Sequence, residues 1–270
     1  GPTEMFAAID RMVDEYTSAG IVLLLECHDT LAANPPVGGD MWNDIAAFWT
    51  EAIARYGDNP YIWINFGNEF EARNDPDYWR AFTEAAYAHL RDAGYRGPMV
   101  MDLPNWAQHI QFFEDPANVE WSRQFDQVVW GWHAYGGVSE DGSVLGVQPD
   151  LSIEAMGVLY DRILANLAAN EIPVLVGEFG YDWNTERRID DGWSWISMRN
   201  SALLNMERLY DAGIGLTLWH ANGSAGTFMH MGVKASDDLT FDEPTVDANL
   251  SELGEVYWQL SRRIGADRAG

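Results

Sequence analysis

Two of the 42 acidic residues stand apart from the rest. Glu69 closes the run Tyr-Ile-Trp-Ile-Asn-Phe-Gly-Asn-Glu, and Glu178 closes Val-Leu-Val-Gly-Glu. Most other acids fall in stretches that read as helices and loops, where solvated charge belongs. A carboxylate at the end of a buried strand is partly desolvated, which is unfavourable unless the group is paired or used. For one such acid, an ion pair or a strand-end cap is as good an explanation as chemistry. Two of them fit cleavage of a glycosidic bond. One acid protonates the leaving oxygen and the other attacks the sugar, and the retaining form of this reaction needs the two carboxyl groups ~5–5.5 Å apart.

Other residue types suited to a sugar site accompany the acids. Asn68 precedes Glu69, while His28 and His133 stand at the ends of apolar runs. A histidine on an apolar strand is more often a satisfied core residue, but a strand-end position favours the site. His89, inside a helical pattern, reads as structural. Sugar rings stack their C–H faces on aromatics, and there are thirteen tryptophans, a high count. Trp49 and Trp63 read as core filling, and Trp106 and Trp219 as cleft residues. For Trp183, Trp193 and Trp195 both readings stay open.

Positioning these groups requires a particular scaffold. Apolar runs occupy residues 21–27, 61–66, 99–103, 128–133, 173–178 and 214–219. Their near-continuous hydrophobicity marks strands buried on both faces of a parallel sheet. Amphipathic helices lie between them. Met5, Ile9, Met12, Val13 and Tyr16 share one face of the first. Trp42, Ile45, Trp49, Ile53 and Tyr56 line the second, which stops at Gly57. Trp79, Phe82, Ala86 and Leu90 mark a third, ending at Gly94 in the left-handed C-cap position. Further helices are predicted near 152–170, 197–212 and 249–263, and residues 235–250 read as a loop. The class is α/β, of the (β/α)8 barrel type with about six units recognisable, and residues 1–270 form one domain. The C-terminal strand ends, where Glu69 and Glu178 lie, are the active face of such a barrel. Cys27, the single cysteine, excludes an intrachain disulfide and reads as buried.

The segments Leu25-Glu26-Cys27-His28-Asp29, Ile64-Asn65-Phe66-Gly67-Asn68-Glu69, Trp132-His133-Ala134-Tyr135 and Val176-Gly177-Glu178-Phe179-Gly180 together resemble glycoside hydrolase family 5. The resemblance is nearest to the family's bacterial β-mannanase branch and runs from Met5 to about Trp219. It implies Glu69 as acid/base and Glu178 as nucleophile. It further implies that Asn68 binds the sugar 2-hydroxyl, that His28 contacts the sugar at the cleavage point, and that Tyr135 lies near the nucleophile in a His133-x-Tyr135 pair. Trp219 takes the place of the platform beneath the sugar. Against the family pattern, two strand–helix units are expected to be missing at the front, together with an arginine that hydrogen-bonds the nucleophile. The segment His220-Ala221-Asn222-Gly223-Ser224 also departs from the mannanases, so mannan and glucan both stay open.

The net charge of −26 leaves no cationic surface for nucleic acid and would repel an anionic membrane. It fits adaptation to high salt or the solubility of a secreted protein. Zinc, phosphate-loop and serine-hydrolase signatures are absent, and the Asp-rich stretches 74–77 and 237–247 lack the spacing of a calcium loop. No metal and no cofactor is called for. The expected activity is endo-hydrolysis of a β-1,4-linked mannan or glucan by an extracellular enzyme. A non-hydrolytic carbohydrate-binding protein is the alternative, and a homodimer covering the open barrel edge is a further expectation.

Overall fold

The computed structural model describes residues 2–30, 33–71, 75–134, 153–180, 202–219 and 258–262. Tyr135, Trp183, Trp193, Trp195 and the loop expected at 235–250 lie outside them. Helices and strands alternate: α1 (Pro2–Ser18), β1 (Leu23–Glu26), α2 (Asp40–Tyr56), β2 (Ile62–Asn65), α3 (Pro76–Asp92), β3 (Met99–Asp102), α4 (Pro116–Ser122), β4 (Val128–Ala134), α5 (Ile153–Asn170), β5 (Val174–Phe179) and β6 (Gly215–Leu218). The strands follow one another in sheet order from β1 to β6. Leu23 pairs in parallel with Ile62, Ile64 with Met99, and Met99 with Val128. Helical crossovers between successive strands are what make parallel pairing geometrically feasible.

The chain forms two compact units, Gly1–Ala107 with Asp115–Gly131, and Gln108–Glu114 with Trp132–Gly270. In the first, the helical periodicity read from the sequence is realised in α2 and α3. Trp42, Ile45, Trp49, Ile53 and Tyr56 are buried along α2, and Trp79, Phe82, Ala86 and Leu90 along α3. Asp75 caps α3 by accepting the Tyr78 N–H, with Pro76 at the first helical position. Gly94, at φ +100°, ends it in the left-handed region. Buried indole and phenol groups find backbone acceptors. Trp49 Nε1 donates to the Phe66 carbonyl at 2.9 Å, Trp79 Nε1 to Asp102 O at 2.8 Å, and the Tyr95 hydroxyl to Ile62 O at 2.7 Å. His89 is structural, its Nε2 donating to Ala46 O.

Three expectations are corrected here. The buried stripe of α1 is Phe6 and Val13, whereas Met5, Met12 and Tyr16 are exposed. The helix carries two neighbouring apolar stripes. The one that packs is the one whose polar members also have partners on α2 and beyond it. Phe6 stacks on Phe48, Asp10 accepts the Tyr56 hydroxyl, and Thr17 accepts from Asn59. Trp63 is half-buried rather than core, because β2 turns its neighbours Ile62 and Ile64 inward. Cys27 is also half-buried, lying just past the end of β1.

In the second unit, α5 buries Met156, Leu159, Tyr160, Ile163 and Leu167. Arg162 reaches from it to Glu114 at 2.9 Å, in a short 3₁₀ turn at Ile110–Glu114. Trp132 packs on Tyr160 with ring centroids 5.6 Å apart. β5 and β6 pair in parallel with an irregularity between Val176 and Phe179. Thr217 Oγ1 lies within hydrogen-bonding distance of the Val176 and Gly177 carbonyls at that point. A π-helical turn at Asn205–Leu209 lies inside the predicted helix 197–212, and residues 258–262 are helical inside the predicted 249–263.

Candidate active site

In the first unit the chain leaves β2 and turns sharply through Phe66–Phe70. Glu69 sits in this turn at φ +43°, a left-handed backbone that is unfavourable for a residue with a side chain. Contacts from two neighbouring strand ends hold it there. The Glu69 N–H donates to Asp102 Oδ2 at 2.8 Å, at the end of β3. The Asn68 N–H donates to Cys27 O at 2.9 Å, past the end of β1. Buried Thr30 donates to Asn68 O at 2.7 Å. Within the turn, Gly67 N–H donates to Asn65 Oδ1 at 3.1 Å, while Asn65 Nδ2 donates to Asp102 Oδ1 at 2.8 Å. A Cβ on Gly67 would lie 2.8 Å from Thr30, so only glycine permits this approach. The outcome is that Asn68 and Glu69 are both buried.

Glu71, two residues on, is buried and grips a second strained loop. Asn105, Trp106 and Ala107 are consecutive left-handed residues at φ 56°, 58° and 54°. The Glu71 carboxylate accepts the Asn105 N–H at 2.8 Å and the Asp75 N–H at 3.1 Å, and its carbonyl accepts the Trp106 N–H at 2.8 Å. Trp106 is half-buried on this loop. His28 lies exposed in the 3₁₀ turn His28–Thr30, its Nδ1 2.8 Å from Glu26 Oε1.

In the second unit, Glu178 and His133 are both buried, on β5 and β4. His133 Nδ1 lies 3.6 Å from Glu178 Oε2, an ion-pair separation longer than a hydrogen bond. The imidazole packs over Gly177, where a Cβ would lie 3.1 Å from Nε2, so this glycine gives the ring its place. Trp219 is half-buried past β6, and its N–H donates to Phe179 O at 3.1 Å, one residue after Glu178.

The first unit thus collects His28, Asn68, Glu69 and Trp106, and the second His133, Glu178 and Trp219. Sequence reasoning missed Thr30, Glu71 and Asp102. Asp102 ends β3 but sits inside the apolar run 99–103, ahead of Leu103, so it does not close a run as Glu69 and Glu178 do.

The family described as cellulase (glycosyl hydrolase family 5) matches residues 2–225. A mannan endo-1,4-beta-mannosidase of Streptomyces lividans is 25% identical over 257 residues, covering 81% of this chain and 59% of its own length. The chain therefore spans about three-fifths of that relative. An enzyme of the same description from Cellvibrio japonicus is 22% identical, over 78% of this chain and 49% of its own. Among solved structures, the beta-mannanase of Streptomyces thermolilacinus with mannohexaose gives a TM-score of 0.64 at 21% identity, covering 94% of this chain and 72% of its own. An endo-beta-1,4-glucanase of Xanthomonas axonopodis pv. citri gives 0.65 at 13%, covering 97% and 79%. These likenesses establish the α/β, TIM-barrel type of fold, of which six strands are described here. With the family matched across most of its length, the chain belongs to the cellulase family, glycosyl hydrolase family 5.

Proposed function

We propose that the chain is a retaining endo-β-glycosidase acting on a β-1,4-linked mannan or glucan, with Glu69 as acid/base and Glu178 as nucleophile. The observation that supports this most is the fixing of both acids. Each is a buried carboxylate at the C-terminal end of a strand, Glu69 in a strained turn clamped from two sides and Glu178 beside a buried imidazole. Glu178 attacks the anomeric carbon while Glu69 gives its proton to the glycosidic oxygen, which leaves with the bonding pair. Glu69, now a carboxylate, takes a proton from water, whose oxygen displaces Glu178 from the sugar. Asn68 binds the 2-hydroxyl, His133 and Tyr135 attend the nucleophile, Trp106 and Trp219 stack on sugar faces, and His28 contacts the sugar at the cleavage point. The mannanases among the relatives make β-mannan the first substrate to try.

The test compares wild type with two variants on an activated aryl β-glycoside. Glu178→Ala is expected to abolish release, and equal rates would remove Glu178 from the mechanism and leave a binding protein. Glu69→Ala is expected to be slowed ~10²–10⁴-fold and partly restored by azide, which replaces the missing base. A Glu69→Ala variant that azide leaves untouched counts against the acid/base role.

Polymeric glycan does not enter cells, so the same reading places the enzyme outside them; no helix among the described residues is long and apolar enough to cross a membrane. The exposed stripe Met5, Met12 and Tyr16, with Ile21 and Val22 leading into edge strand β1, is proposed as the face that a second copy covers.

A further inference from the structure

Asp102 takes no part in the chemistry proposed above, yet it is almost fully buried at 1% exposure. Its carboxylate accepts from two donors at once. Oδ1 takes the Asn65 Nδ2–H at 2.8 Å, and Oδ2 takes the Glu69 N–H at 2.8 Å. Asn65 passes the constraint on, its own Oδ1 accepting the Gly67 N–H. One carboxylate at the end of β3 thereby fixes both ends of the Asn65–Glu69 turn. The surroundings are shaped for it: at Gly131, on β4, any Cβ would lie 2.5 Å from Asp102 Oδ1. Asn65 and Glu69 each present a donor to Asp102, so an asparagine there must turn an N–H₂ toward one of them. If Asn65 flips to relieve the clash, its amide then meets the Gly67 N–H.

Resting on the acid/base reading of Glu69, we propose that Asp102 is a positioning residue for that acid. It holds Glu69 in a left-handed backbone from which the carboxyl meets the leaving oxygen. A misaimed Glu69 damages proton transfer to the leaving group in the first step and, because the same carboxylate activates water, slows the second step equally for every substrate. The first-step loss therefore tracks how much help the leaving group needs.

The experiment uses the full chain with dinitrophenyl and phenyl β-mannobioside as probes. Dinitrophenolate leaves unaided, whereas phenolate needs the proton. For Asp102→Asn the expected loss in kcat/KM, which reads the first step, is ~100-fold on the phenyl substrate and less than ~5-fold on the dinitrophenyl one. Glu69→Ala, measured alongside, is expected to show the same asymmetry in its first, glycosylating step. The exchange Asn65→Asp with Asp102→Asn rebuilds every bond with one reversed. The carboxylate now at position 65 accepts from the amide now at position 102 and from the Gly67 N–H, while the amide oxygen still accepts the Glu69 N–H. It is expected to recover at least ~10-fold on the phenyl substrate, as restored proton delivery requires. Equal losses on both probes for Asp102→Asn, or no recovery in the exchange, would overturn the positioning role while leaving Glu69 in place. Symmetric losses for Glu69→Ala would instead overturn the acid/base assignment, and this inference with it.

Discussion

The Tyr56 hydroxyl donates to Asp10 Oδ1 at 2.5 Å, while its ring is buried along α2. Burial of the phenol, and then the hydrogen bond and negative charge of Asp10, push its pKa from 10.0 up to about 12. The folded chain therefore holds this proton more tightly than the unfolded chain does. The resulting stabilisation is complete below pH 10.0 and is lost as the pH climbs toward about 12. Urea unfolding of the wild type is expected to show a steeper loss across that window than Tyr56→Phe, and parallel profiles would sink the assignment. The same scale explains what the sequence disclosed. Glu69 and Glu178 were visible because an acid ending an apolar run is conspicuous in one dimension. Thr30, Glu71 and Asp102 act on main-chain groups 38, 34 and 33 residues away, and only the folded chain brings those groups into reach.

Phe66 and Phe70 bracket the Gly67-Asn68-Glu69 turn, and both pack on Phe82 of α3. The Phe70 and Phe82 rings stack at 4.0 Å, and Phe66 meets Phe82 edge-on at 5.8 Å. Trp42 of α2 closes the cluster at 4.9 Å from Phe82. One helix, α3, thus anchors both shoulders of the turn that carries Glu69. Phe82→Ala is expected to destabilise the protein by ~3–5 kcal/mol, seen as a lower urea midpoint. Because the cavity opens under the turn, activity should fall at temperatures well below the unfolding midpoint. Retained activity up to that midpoint would separate the cluster from the site. α2 and α3 were legible because each carries one apolar stripe at helical spacing. α1 carries two, and periodicity alone does not choose between them. α4 was overlooked although Asp115 and Pro116 spell its start; with seven residues it gives periodicity too little to work on.

Across the molecule, acidic residues outnumber basic ones by 42 to 16. Raising ionic strength from 0.01 M to 1 M shortens the reach of charge from ~30 Å to ~3 Å and relieves this self-repulsion. The melting temperature is expected to rise by several degrees between those limits, where ~1 kcal/mol corresponds to roughly 2–4 °C. A flat response would leave solubility as the only use of the charge. Screening also favours association through the exposed α1 stripe. Sedimentation at micromolar concentration is expected to give a dimer that Met12→Glu converts to monomer, and a wild-type monomer would dismiss that face. The barrel type of fold was readable from the alternation of runs and helices, whereas the grouping into two units was not, since it depends on packing density rather than pattern. The sheet order has one more effect. Since β1 to β4 pair in the order of the chain, none of these described strands waits on another described strand from later in the sequence to find its predecessor. During synthesis, each new strand can dock on the one before it as soon as the intervening helix has cleared the ribosome.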